Sequence, residues 1–136
     1  LGSICDVVDD LRTQDIAAGA LAITCFRPWP AEHITAALAH AQTVIVLEKA
    51  FSVGSGSIIG NDIRLALANT GATTFTAVAG LGGRPVTSAV IRRLVDDVGD
   101  GELEAGVLHF IDVDRSVVTR EHAARRPARA GQEATR

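Results

Sequence analysis

Thr43-Val44-Ile45-Val46-Leu47, then Ser52-Val53-Gly54-Ser55-Gly56, then a stripe of Ile59, Ile63, Ala66 and Leu67, make one continuous pattern. The first run is short, β-branched and apolar throughout, which fits a parallel strand covered on both faces. The stripe recurs at helical spacing, so the pattern reads as strand, tight loop, helix. Asn69-Thr70-Gly71 closes the helix, Gly71 being suited to a left-handed cap. Downstream, Thr74-Phe75-Thr76-Ala77-Val78 predicts the next strand and ends in Gly80-Leu81-Gly82-Gly83. Thr87 caps a helix whose face is Ile91, Leu94, Val95 and Val98; Gly99 and Gly101 bracket its end, and Gly106–Ile111 predicts a last strand.

Upstream, Ile4, Val7, Val8 and Leu11 mark a helical face, with Ser3 and Asp6 as a capping box at its start. Ala20-Leu21-Ala22-Ile23-Thr24-Cys25-Phe26 predicts a buried strand, stopped by Pro28 and Pro30, which fix φ and lack an N–H. A helix from Ala31 carries Ile34, Ala37, Leu38 and Ala41 on one side. Four alternations of helix and strand predict an α/β fold, a three-layer α/β/α sandwich with a mostly parallel open sheet. Leu1-Gly2-Ser3 reads as the end of a further strand, and with no Met in the chain the sequence is expected to be a fragment.

Of the 136 residues, 47% are apolar, enough for a packed core. No apolar run approaches the ~18 residues of a membrane span, and no secretion signal is visible, so a cytoplasmic protein is expected. Residues 1–114 carry a net charge of −7 and residues 115–136 a net charge of +4. An acidic body with four Phe, one Trp and no Tyr argues against a nucleic-acid surface. The division expected is an α/β domain over 1–114 and an Arg-rich flexible tail over 115–136, disordered or a frayed helix. Cys5 and Cys25 are expected as buried structural thiols, and His33, His40, His109 and His122 show no ligand spacing.

Two glycine loops are candidate ligand or interface sites. Gly54, Ser55 and Gly56 lie between a strand and a helix, where backbone N–H groups and the helix dipole can hold an anion. The spacing Gly54-x-Gly56-x-x-x-Gly60 is one residue longer than the dinucleotide fingerprint, and the ribose-binding acid and the P-loop lysine are both missing. A structural turn is the reading, anion binding its alternative. Gly80, Gly82, Gly83 and Arg84 also follow a strand, where open α/β sheets place their ligands. Arg84 could meet a carboxylate or phosphate, or form a salt bridge across a domain interface. Arg27-Pro28-Trp29-Pro30 pins a corner, and Arg27 and Trp29 suit a subunit contact, against the reading of a Trp packed over its own sheet. Asp112 and Asp114 loosely suggest Mg²⁺, or simply a chain exit. Asp9-Asp10 and Asp96-Asp97 are expected to be solvated. No nucleophile, base and orienting acid stand together, so no catalytic residue and no metal site are assigned.

Three of these segments, in order, resemble the 2-oxoacid:ferredoxin oxidoreductases. Phe26-Arg27-Pro28-Trp29-Pro30 is similar to their FRPFP corner, Val46-Leu47-Glu48-Lys49 with Phe51–Gly56 to their VLEK strand and glycine loop, and Ala79–Arg84 with Thr87 to their AGLGGRDIT segment. Departures are Trp29 for Phe and Pro85-Val86 for Asp-Ile. The resemblance covers about Leu1 to Asp112 and points to the second domain of the pyruvate-type α subunit. It implies a five-stranded transketolase C-terminal-like domain that braces its neighbours in a likely-oligomeric enzyme, without nucleic-acid or membrane partners. The family enzyme cleaves a 2-oxoacid on thiamine diphosphate with Mg, passes electrons through iron–sulfur clusters to ferredoxin, and forms an acyl-CoA from CoA. The resemblance implies that other domains or subunits hold these groups, since two isolated Cys cannot hold a Cys₄ cluster. Alternatives from the residues are the C-terminal domain of another thiamine-dependent enzyme, a 2-oxoacid dehydrogenase β subunit or transketolase, or a stand-alone nucleotide- or anion-binding module.

Overall fold

The strands that form are those whose apolar residues can face helices on both sides. A computed structural model describes residues 1–125. Helix α1 (Gly2–Thr13) is followed by α2 (Ala31–Ala37), β1 (Thr43–Glu48), α3 (Ile59–Ala66), β2 (Thr73–Val78), a short 3₁₀ turn (Leu81–Gly83), α4 (Ser88–Gly99), β3 (Leu108–Phe110) and α5 (Arg115–Arg125). The sheet is open and parallel, in the order β1-β2-β3. Thr43 pairs with Thr73 and Glu48 with Val78 along the longer ladder.

Each face of the sheet has its own core. Val44 and Val46 of β1 meet Ile63 and Leu67 from the α3 side, joined by Leu38 and Ala41 behind α2. On the opposite face Val7 and Leu11 of α1 meet Ile91 of α4, with Leu47 against them. The fold is thus an α/β/α sandwich of the transketolase C-terminal-like kind. Val78 and Ala77, in the central strand, are almost completely buried. Thr87 caps α4, its hydroxyl accepting from the Val90 N–H at 3.3 Å.

Three expectations need correction. Ala20–Phe26 is not a strand: the chain there belongs to no ladder, and Leu21 and Phe26 are exposed. The apolar run marks strand propensity, but propensity alone does not supply a neighbour for its backbone groups. Cys5 and Cys25 are both free and exposed rather than buried, the first on the outer side of α1 and the second in this unpaired segment. No side chain caps α1, where the Ser3–Asp6 capping box was expected; Leu1 supplies only its carbonyl, to Ile4 and Cys5. The last strand is also shorter than its apolar run. Residues 115–125 of the Arg-rich segment form α5, and residues 126–136 lie outside the described residues.

Candidate functional site

The carboxyl ends of the three parallel strands share one edge, and both glycine loops leave from it. At the end of β1 stands Glu48, a charged residue that is only 6% exposed. Its carboxylate accepts from the backbone N–H of Ile58 at 3.1 Å, of Ile59 at 3.0 Å and of Gly60 at 3.0 Å. The Ser57 hydroxyl donates to it as well. These N–H groups belong to the first turn of α3, which lacks intrahelical partners for them and carries the positive end of the helix dipole. The chain therefore places its own carboxylate where the glycine loop could have held an anion.

Gly60 makes this approach possible. A Cβ there would lie 2.7 Å from both Cγ2 and Oγ1 of Thr76, so only glycine lets α3 rest on β2 at this point. Beside it a cleft of about 130 Å³ is lined by Ser55, Asn61, Arg64, Thr76, Gly106 and Leu108. Its polar groups are engaged within the chain. Asn61 donates to the carbonyls of Ser55 at 3.1 Å and Ser57 at 2.8 Å, and Arg64 reaches the Asn61 side chain and the Gly106 carbonyl.

The second loop is built differently. Gly80 has φ +72, and a Cβ on it would press on Val86 and Lys49. Arg84 donates to the Asp112 carbonyl, tying this loop to the exit of β3. Asp112 and Asp114 do not converge. Asp114 instead accepts from the Ser116 N–H at 2.9 Å, the Ser116 hydroxyl at 2.6 Å and the Val117 N–H at 3.2 Å, at the start of α5. The Ser116 hydroxyl, with these backbone donors and the Arg84 charge, lowers the Asp114 carboxyl below its ordinary value. Its cap is complete above the usual aspartate range and is lost as pH falls through the lower folded value. An NMR titration should show the Ser116 and Val117 amides and the α5 helical shifts moving together in that acidic window. Asp114→Ala should abolish the step; an unchanged titration in that variant would count against the cap.

Around these loops the same edge is apolar. The rings of Phe51 and Phe110 meet edge-on with centroids 5.2 Å apart, and both stay exposed, as do Leu81 and, at 89%, Val53. At the corner, the Arg27 guanidinium donates to Asp62 at 2.9 Å and to the Phe26 carbonyl at 2.7 Å, 5.0 Å from the Phe26 ring centre. Trp29 is half-buried against the Val44, Val46, Ile63 and Leu67 cluster. Among the acidic pairs, Asp10 and Asp96 both receive Arg92, at 2.7 and 3.0 Å, which links α1 to α4 while leaving the side chains largely exposed.

The sequence matches the family described as pyruvate:ferredoxin oxidoreductase core domain II over residues 1–91. The chain belongs to that family. It is 35% identical over 99 residues to the pyruvate synthase subunit PorA of Methanothermobacter thermautotrophicus, covering 70% of this chain and 25% of that one. The PorA subunit of Thermotoga maritima is 35% identical over 107 residues, 77% of this chain and 27% of that one. The ketoisovalerate oxidoreductase subunit VorA of Pyrococcus furiosus is 31% identical over 100 residues, 72% and 25% of the two chains. The chain spans about a quarter of the length of these curated relatives.

Sequence reasoning quoted Glu48 within a motif but did not single it out. The available signal was a charge closing an apolar strand, followed by Ser57 and Gly60 at a helix start. Among the described residues no three His, Cys, Asp or Glu side chains group as a metal site, and two separate cysteines do not fit an iron–sulfur cluster. The described residues thus do not fit the family's metal groups, and the α3 N-terminus is closed to a cofactor phosphate by Glu48. Nor is any described helix long and apolar enough to cross a membrane.

Proposed function

We propose that this chain is a non-catalytic assembly domain of a cytoplasmic, thiamine diphosphate-dependent 2-oxoacid:ferredoxin oxidoreductase, converting a 2-oxoacid and CoA to acyl-CoA, CO₂ and reduced ferredoxin. The observation that carries the reading is Glu48. The position best placed to bind an anionic cofactor is filled by the chain's own carboxylate, so it serves the fold. Membership of the core domain II family supports the enzyme class. On this reading thiamine diphosphate, Mg, the clusters and CoA are held by other domains or subunits, and ferredoxin is met only through them.

Residues 1–114 are the bracing unit. Its contact surface is the carboxyl edge of the sheet, where Phe51, Val53, Leu81 and Phe110 surround the loops Gly54-Ser55-Gly56 and Gly80–Arg84. An exposed apolar group of this kind marks an interaction site. Arg27 and Trp29, at the corner on the α3 side, form a second contact. The test is reconstitution of an oxidoreductase of this family from its remaining parts with and without this chain, followed by pyruvate- or ketoisovalerate-dependent, CoA-dependent reduction of ferredoxin. Activity is expected only with the chain present, and none from the chain alone. Turnover by the isolated chain, or reconstitution indifferent to it, would overturn the reading. Calorimetry of the chain with ATP, NAD and CoA should be silent; heat of binding for any of them would favour the stand-alone nucleotide module.

A further inference from the structure

We propose that Ala20–Phe26 closes on the open edge of β1 as a fourth, parallel strand. The inference is independent of the oxidoreductase reading. Residues 17–28 make no backbone–backbone hydrogen bond among the described residues, although the run Ala20-Leu21-Ala22-Ile23 is wholly apolar. Leu21 and Phe26 stay exposed at 47% and 39%. Next to this segment β1 is the outermost strand, bonded only to β2, so its other edge carries unpaired groups.

Both ends of the segment are already fixed, on opposite faces of the sheet. At one end the Arg12 guanidinium donates to the Ala18 carbonyl at 2.9 Å, and Ala18 packs on the α1–α4 core. At the other, Arg27 pairs with Asp62, and Trp29 and Ile23 pack on the Val44 and Val46 side. The chain therefore passes from one face to the other as a strap held at its two ends. Residues 27–42 then join it to β1 through α2, a connection of more than a dozen residues as a parallel crossover requires. Leu38 and Ala41, at the end of this connection, cover the same core, so the crossover helix stands where such a unit places it. With Ile23 on the Val44 side, strand alternation puts Leu21 and Cys25 there too. Closure buries both and covers the β1 edge, which then cannot recruit a strand from a second copy.

The two cysteines give the readout, because Cys5 on α1 is an internal reference. In single-cysteine variants Cys5→Ser and Cys25→Ser of the 136-residue chain, reaction with an aromatic disulfide reagent should be roughly tenfold slower at Cys25 than at Cys5. The two rates should become equal in denaturant. Amide exchange should show protection over residues 20–26 and in β1 alike. Ala22→Pro, which removes one N–H and fixes φ, should bring the Cys25 rate up to that of Cys5 while Trp29 fluorescence and helix content persist. Equal native rates with unprotected amides overturn the proposal. So does a slow Cys25 that Ala22→Pro leaves unchanged. Protection that grows with protein concentration alongside a dimer also overturns it, since the edge then pairs between copies.

Discussion

Glu48→Ala should cost about 3–5 kcal/mol of folding stability, because it leaves three first-turn N–H groups and a hydroxyl without their acceptor in a buried site. Hydrogen bonds to a charged group are stronger than neutral ones, and here four converge on one carboxylate. Some of the loss is recovered if water enters the space, which keeps the figure below the sum of four separate bonds. In thermal unfolding the drop should be roughly 10–20 °C. Glu48→Gln retains the volume but turns an amide NH₂ toward N–H donors, so it should fall between wild type and Ala. That ordering separates loss of the acceptor from loss of packing. An Ala variant within about 1 kcal/mol of wild type would remove Glu48 from the account of the fold.

Gly60→Ala is expected to lose about 2–3 kcal/mol, even though alanine is the better helix former by about 1 kcal/mol. The added Cβ would meet Thr76 of the central strand at 2.7 Å, and it would also meet the Ser57 hydroxyl, which is held by Glu48. Moving α3 away to relieve this would lengthen the Gly60 N–H bond to Glu48, now 3.0 Å. The two sites share one set of contacts, so Gly60→Ala and Glu48→Ala combined should destabilise by less than the sum of the single variants. Thr76→Ala in the Gly60→Ala background should restore part of the loss. Denaturant unfolding of the four chains decides the matter; strict additivity would show that helix position and carboxylate are independent.

The sheet's core strands were legible because apolar runs bounded by glycine and proline leave few other readings. Thr43–Leu47 and Thr74–Val78 pair as expected, and Thr87 caps α4. Ala20–Phe26 carries the same composition and is unpaired, which shows where pattern stops. A strand needs a neighbour at hydrogen-bonding distance, and no local preference provides one. Cys25 follows from this: once its segment is unpaired, the thiol is exposed. The ordered corner, strand and loop motifs carried the family, and the match over residues 1–91 agrees.

The sequence by itself therefore determined the α/β alternation, the helix faces and the family, since these rest on periodicity and on short motifs contiguous in the chain. What occupies the first turn of α3 was decided only by tertiary structure. Glu48 lies nine or more residues from the groups it accepts, and their meeting depends on β1 ending beside the start of α3. That juxtaposition is fixed by the glycine contact at Gly60 and by the parallel register, both of which are properties of packing. Charge, donors and glycine are each visible along the chain, but their convergence is a matter of distance in space.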